Sequence, residues 1–230
     1  MDISIRGALG TQLFEYLSGI TQAKKLNNSV DRILINTGGR VVDTVKIDWL
    51  SQILLIDTPV QMVSGKAKQD VWKYPNLFKD LCNNKTCVDN IVLTRKIEKN
   101  NYKVIHVRGT DRTVASVDDY VRIVKTVGHD AKLLGDDNLF INKIIKHAGH
   151  GQNISKSAID DWHTCIGSSE LYCAFTNFTL SAMLFDPNKK FYMLDKTQAH
   201  GTVIIPDQTY NCVQQLFDNY FINAKWLYKE

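Results

Sequence analysis

The sequence predicts an α/β protein with parallel sheets in two halves, and three features of the chain predict it. In Val104-Ile105-His106-Val107-Arg108-Gly109-Thr110-Asp111-Arg112 a short apolar run gives way to four ionisable side chains within seven residues. Such a run reads as a buried parallel strand that delivers charge at its carboxyl end, where open α/β sheets place their ligands. In Ile3-Ser4-Ile5-Arg6-Gly7-Ala8-Leu9-Gly10 a brief strand enters a loop with two glycines, and Leu13, Tyr16, Leu17 and Ile20 then recur at helical spacing. Strand-like and helix-like segments also alternate through the second half, which favours parallel sheets joined by right-handed crossovers.

Taken in order, the first half is expected to hold strands at 2 to 6, 32 to 36 and 52 to 56, with a helix from about 11 to 26. Gly38-Gly39 marks a turn, and Ser64 to Asn84 reads as loop and short helix packed down by Trp72 and Tyr74. Strands at 103 to 107 and 131 to 135 then alternate with helices near 118 to 127 and 138 to 147. After the polar interval Gly149-His150-Gly151-Gln152-Asn153 comes a helix from about 157 to 169, followed by strands near 171 to 176, 190 to 194 and 202 to 205.

Composition narrows the class. At 230 residues, 44% hydrophobic and 23% charged, the chain can bury one large core or two small ones. The net charge of +4 is weakly basic, and Lys24-Lys25, Lys66 to Lys73 and Lys189-Lys190 are dispersed, which argues against a nucleic-acid partner. No stretch approaches the ~20 apolar residues that cross a bilayer, so no integral membrane segment is expected. Five scattered cysteines, Cys82, Cys87, Cys165, Cys173 and Cys212, argue against a disulfide framework and for a reducing, cytoplasmic compartment. The sequons at Asn27, Asn84, Asn153 and Asn177 would go unused there. Cys82 and Cys87 lack the spacing and the paired histidines of a zinc site, and no metal is expected.

Arginine beside histidine at a strand end suggests an anionic ligand, a diphosphate first of all, because a guanidinium binds phosphate oxygens through parallel hydrogen bonds and stays charged. The competing reading is a surface arginine or a structural ion pair. The glycine turn before the first helix brings free N–H groups towards a ligand, or is an ordinary tight βα turn. It lacks both GxGxxG and GxxxxGK[ST], which weakens dehydrogenase and nucleotide-hydrolase readings.

The motifs together resemble a known superfamily. Gly7 to Tyr16, GALGTQLFEY, is similar to the GGLGNQLFQYA opening of alpha-1,2-fucosyltransferases. His106 to Arg112, HVRGTDR, resembles the H-x-R-R-x-D motif shared by alpha-1,2-, alpha-1,6- and protein-O-fucosyltransferases. Lys132 to Asn138, KLLGDDN, is similar to an apolar strand ending in S/T-D-D, and Leu171 to Ala182 resembles a Ser/Thr-Phe-Ser segment that opens a helix. The four lie in family order. Gly109 stands where the family has its second arginine, and Thr11 where it has asparagine.

This resemblance implies a GT-B arrangement of two Rossmann-like halves facing a cleft, with a boundary near Asn100. Residues 1–100 would form the acceptor side and 101–230 the nucleotide-sugar side. It implies an inverting, metal-independent transfer of a deoxyhexose, L-fucose from GDP-L-fucose, to a glycan hydroxyl, with no cofactor beyond the donor. Another deoxysugar such as L-rhamnose, or a noncatalytic nucleotide- or sugar-binding module, is the alternative.

By the same resemblance Arg108 contacts the donor diphosphate and His106 lies near the nucleotide, the alternative for His106 being a strand-end histidine satisfied by a backbone carbonyl. Asp136 and Asp137 recognise the base, Thr179 and Ser181 lie near phosphate, and Gly7, Gly10 and Gln12 line the donor side from the other half. Asp137 also stands where a helix N-cap would, and hydroxyls at a helix start are commonly caps. Asp111 is the favoured general base, with the alternative that it orients the flanking arginines; Asp118 and Asp119 are the other nearby acids.

Overall fold

The computed structural model describes residues 1–37, 47–64, 88, 91–109, 115–174, 176–194 and 207–227, without the side chains of 207–210 and 212. They belong to two compact units, Met1–Lys96 and Ile97–Glu230. The turn at Gly38-Gly39, the segment holding Trp72, Tyr74, Cys82 and Cys87, and the strand expected at 202 to 205 lie outside the described residues.

In the first unit β1 (Asp2–Arg6), α1 (Leu9–Lys25) and β2 (Arg32–Asn36) are followed by the single turn α2 (Leu50–Ile53), β3 (Leu54–Leu55), β4 (Val60–Val63) and β5 (Val92–Leu93). β1, β2 and β4 pair in parallel in that order, and β3 pairs antiparallel with β5. Ile3, Ile5, Ile33 and Ile35 alternate inward along the strands, and α1 covers them with Leu9, Leu13, Phe14 and Leu17. The strand expected at 52 to 56 is shorter than its apolar run suggests. Leu50 and Ile53 are buried on the helical turn and Leu54 is buried at the start of β3, whereas Leu55 is exposed. A short apolar run cannot separate these two conformations by periodicity.

The second unit runs β6 (Lys103–Val107), α3 (Val117–Val127), β7 (Ala131–Gly135), α4 (Asn138–Ala148), β8 (Gln152–Asn153) and α5 (Ala158–Gly167). It continues with β9 (Glu170–Cys173), α6 (Asn177–Met183), β10 (Lys190–Leu194), α7 (Asp207–Asn219) and β11 (Ala224–Leu227). Its six strands are parallel and ordered β8-β7-β6-β9-β10-β11. In order of sequence this is third, second, first, fourth, fifth, sixth, the order of a doubly wound dinucleotide-type sheet. The chain thus has the expected α/β class with parallel sheets. β11 and the helix before it were not legible, because Ala224-Lys225-Trp226-Leu227 carries too weak an apolar pattern.

Both faces of the second sheet are covered. Ile105, Val107 and Leu133 pack with Tyr120, Ile123 and Val124 of α3 and with Ile141 and Ile144 of α4. The alternate residues Val104, His106, Leu171, Cys173, Phe191 and Met193 are also buried, as are Trp162, Cys165, Leu180 and Phe217 of α5, α6 and α7 and Phe221 just after α7. Cys165 and Cys173 are thiols, not a disulfide, and burial pushes both upward, Cys173 to about 12. Helix ends are satisfied locally. Ser116 and Asp119 form a reciprocal box on α3, Asp137 caps α4, Ser157 caps α5 and Thr176 caps α6. At the other end of α5 the buried Lys189 ammonium donates to the carbonyls of Cys165 and Ile166 and to Ser168 Oγ. Among the described residues no helix is long and apolar enough to cross a membrane.

One position fixes how β6 and β7 close at their carboxyl ends. Gly135 has φ +156°, and a Cβ there would stand 1.9 Å from the Val107 carbonyl oxygen. Gly135→Ala is expected to cost roughly 3 kcal/mol or more, positive-φ strain adding to overpacking against backbone that cannot yield. A urea unfolding midpoint equal to wild type would refute this.

Candidate functional site

The order of the second sheet reverses between β6 and β9: the chain leaves β6 towards one edge and β9 towards the other. Ligands of open α/β sheets bind outside the carboxyl ends of the strands at such a point. Three segments end there. They are His106-Val107-Arg108-Gly109 after β6, Asp136-Asp137 after β7, and Thr176 to Ser181 after β9.

Arg108 and Gly109 are braced from two sides. The Arg108 N–H donates to Tyr120 Oη at 3.0 Å, and the Gly109 N–H donates to Asp136 Oδ1 at 3.0 Å. The other oxygen, Asp136 Oδ2, lies 3.4 Å from Arg108 Nε. Tyr120 is fully buried, which holds its phenol protonated well above the ordinary range. Gly109 is pressed onto the start of α4: a Cβ on it would meet Phe140 Cδ1 at 2.9 Å and Asp137 Cβ at 3.1 Å. A side chain at position 109 would therefore require the Phe140 ring to shift.

His106 lies on the opposite face of β6 from Ile105 and Val107, only 3% exposed, with its ring stacked on Phe178 at 4.8 Å and 18°. Its pKa falls to about 3, chiefly by burial; Asp136 opposes and Arg108 adds to the fall. The imidazole is thus neutral at any physiological pH. Its Nδ1 is buried with no hydrogen-bond partner among the described residues. Buried polar atoms are nearly always paired, and His106 Nδ1 shares this unpaired state among the described residues with His163 Nε2.

Asp137, Thr179, Ser181 and Asp119 have internal tasks. Asp137 accepts from the Phe140 N–H at 2.9 Å as the N-cap of α4, so the cap reading describes its place. Thr179 and Ser181, expected near phosphate, are fully buried. Thr179 Oγ1 donates to the Thr176 carbonyl at 3.1 Å, and Ser181 Oγ donates to the Phe178 carbonyl at 2.7 Å while accepting from Trp162 Nε1 at 3.0 Å. In this structure, then, the two hydroxyls face the interior, because α6 turns them onto its own first turn and onto α5. Asp111, with Thr110 and Arg112, lies outside the described residues. Asp119, the alternative acid, is fully buried in the α3 cap and paired with Arg122 at 2.9 Å, whereas Asp118 is exposed. Among the described residues no three His, Cys, Asp or Glu side chains are grouped to hold a metal ion.

In the first unit the glycine loop is held from within. Gly7 turns with φ +87°, and Gly10 is buried in the first turn of α1. Gln12, expected to line the donor side, is fully buried: its Nε2 donates to the carbonyls of Gly7 and Ile47 at 2.8 Å each, and its Oε1 accepts from the Trp49 N–H at 3.1 Å. That ties residues 47–49 to the loop. Glu15 is a further group that pattern reading passed over. Its Oε2 accepts from the Arg6 N–H at 2.5 Å and its Oε1 is 3.5 Å from Arg6 Nε. Burial nevertheless raises its pKa to about 7, the contacts with Arg6 acting in the opposite direction. Glu15, Tyr120 and Phe178 all sit at helical spacing within amphipathic segments, where a sequence signals only packing.

Glu15 makes stability depend on pH in a stated direction. The folded protein holds this proton up to about pH 7, whereas the unfolded chain releases it near 4.5, so the contribution of this group to stability falls as pH rises between those values. Glu15→Gln removes the penalty. The variant is expected to gain up to about 3 kcal/mol over wild type at pH 8 and nothing at pH 4. Thermal unfolding of both proteins at the two pH values checks it, and an equal shift at both would be inconsistent with a buried titrating carboxyl.

Family models match no part of the sequence, and no curated protein is significantly similar to it. Among solved structures the chain is similar to one from Listeria monocytogenes described as a UDP-N-acetylglucosamine 2-epimerase. The similarity has a TM-score of 0.40 and 10% identity, covering 94% of this chain and 70% of that one. A likeness this slight says nothing of chemistry.

Proposed function

We propose that the chain is an inverting, metal-independent glycosyltransferase that takes a deoxyhexose from a nucleoside diphosphate, L-fucose from GDP-L-fucose first of all, to a glycan hydroxyl. The observation that carries this reading is the placement of Arg108, braced by Tyr120 and Asp136 at the switch point of a doubly wound sheet. The four superfamily-like motifs in order supply the donor class.

In this reading Arg108 meets the diphosphate. As the sugar departs, negative charge grows on the leaving oxygen, and a guanidinium already fixed in place stabilises that state more than the bound donor. His106, neutral and with Nδ1 unpaired among the described residues, offers a hydrogen bond to an uncharged donor group and does not serve as a cation. Asp111 takes the proton from the acceptor hydroxyl as it attacks; Asp119 is unsuited to that task because its carboxylate is spent inside the α3 cap.

Two observations favour a second reading, a noncatalytic nucleotide- or sugar-binding module. Gly109 stands where the resembled superfamily has its second arginine, and Thr179 and Ser181 are turned inward, so the site offers fewer phosphate-binding side chains than that resemblance implies. Turnover of a nucleotide-sugar on any acceptor decides between them.

Arg108→Ala is expected to weaken GDP binding by about tenfold to a hundredfold, the worth of a charge-assisted hydrogen bond, and to abolish transfer. Arg108→Lys should restore little, since an ammonium lacks the forked geometry. Calorimetric titration with GDP reads this directly, and wild-type affinity in the alanine variant would refute the phosphate assignment. Transfer should also persist after exhaustive EDTA treatment; loss that manganese or magnesium restores would place a metal in the mechanism.

A further inference from the structure

We propose that Asp136 is a positioning residue for Arg108, aiming its guanidinium at the donor diphosphate, and that it does not select the nucleobase. This inference rests on the proposed function and refines it. A carboxylate that reads guanine would present both oxygens to two N–H donors on the base edge. Here Oδ1 accepts from the Gly109 N–H at 3.0 Å and Oδ2 lies 3.4 Å from Arg108 Nε, so the bidentate edge is turned onto the strand-end turn.

The surrounding backbone supports the same role. Immediately before Asp136, Gly135 is locked against the Val107 carbonyl. Immediately after it, Asp137 is committed to capping α4. On the other strand the Arg108 N–H is fixed by the buried Tyr120 hydroxyl, and Gly109 is seated against Phe140 and Asp137. Asp136 therefore projects from the end of β7 towards the end of β6, and its carboxylate is a link between this corner and the Arg108 side chain. Engagement at Nε sets the plane of the guanidinium, and a planar group delivers parallel hydrogen bonds only when its plane is right.

The test is a double-mutant cycle read by titration with GDP, UDP and GMP. Asp136 is partly exposed, with 31% of its side chain accessible, and thermal unfolding of Asp136→Asn verifies that the fold persists. Asp136→Asn is expected to weaken GDP and UDP by the same factor, about tenfold, with their ratio unchanged and GMP much less affected. In the Arg108→Ala background the same change should cost nothing further, because the group it positions is gone. Asp136→Glu, which keeps the charge, should recover part of the loss.

Three results would overturn the inference alone while leaving Arg108 in place: wild-type affinity in Asp136→Asn, a loss confined to GDP with UDP spared, or the same loss in both backgrounds. If wild type binds none of the three nucleotides, or Arg108→Ala binds GDP as wild type does, the proposed function falls and this inference with it.

Discussion

Strand β6 is buried on both faces and hydrogen-bonded along both edges, to β7 and β9, and the architecture of the second unit follows from that constraint. A parallel strand with two apolar faces needs helices on each side of the sheet. Parallel neighbours in turn need crossovers long enough to hold those helices. Placing the first strand of the unit in the middle forces the chain outward in one direction and then the other. Ligands of open α/β sheets bind outside the carboxyl end of such a strand, and Arg108 is the first residue past it.

Polar groups inside the second unit come in closed sets. Asp119 joins Ser116 and Arg122, Asp161 joins Ser155 and the Lys156 N–H, Trp162 joins Ser181, and Lys189 closes the end of α5. Each set holds a helix end or a loop, and leaving one member unpaired costs about 1–3 kcal/mol. His106 and His163 depart from this rule, each with one buried ring nitrogen unpaired among the described residues. The first unit follows the same economy with Gln12 and Glu15, except that burial leaves Glu15 poised to lose its proton near neutrality.

The two aspartates after β7 show how adjacent residues of one type separate in role. Asp137 faces the first turn of α4, whose unpaired N–H groups attract any carboxylate at that position. Asp136, one residue earlier, points across to Arg108 and Gly109. Their chemistry is identical, and the backbone between them decides which N–H groups each can reach.

What the sequence by itself determined was local. β1, β2, β6, β7 and β10 span the residues their patterns predict, because alternation and apolar runs are decided within five residues of chain. The helices around Val117–Val127 and Asn138–Ala148 follow from their caps and spacing in the same way. The arginine and histidine at the end of β6 were legible as a charged strand terminus. Tertiary structure alone decided what they touch. The Asp136 partner of Gly109 lies 27 residues away along the chain, and only the pairing of Val107 with Gly135 brings the two together. The same holds for Ser181, whose inward turn depends on Trp162, and for Gln12, whose amide is consumed by Ile47 and Trp49. Hydroxyls, amides and carboxylates carry no mark in a sequence of whether they will be spent on the fold or left for a ligand, because that depends on which distant backbone groups arrive unpaired beside them.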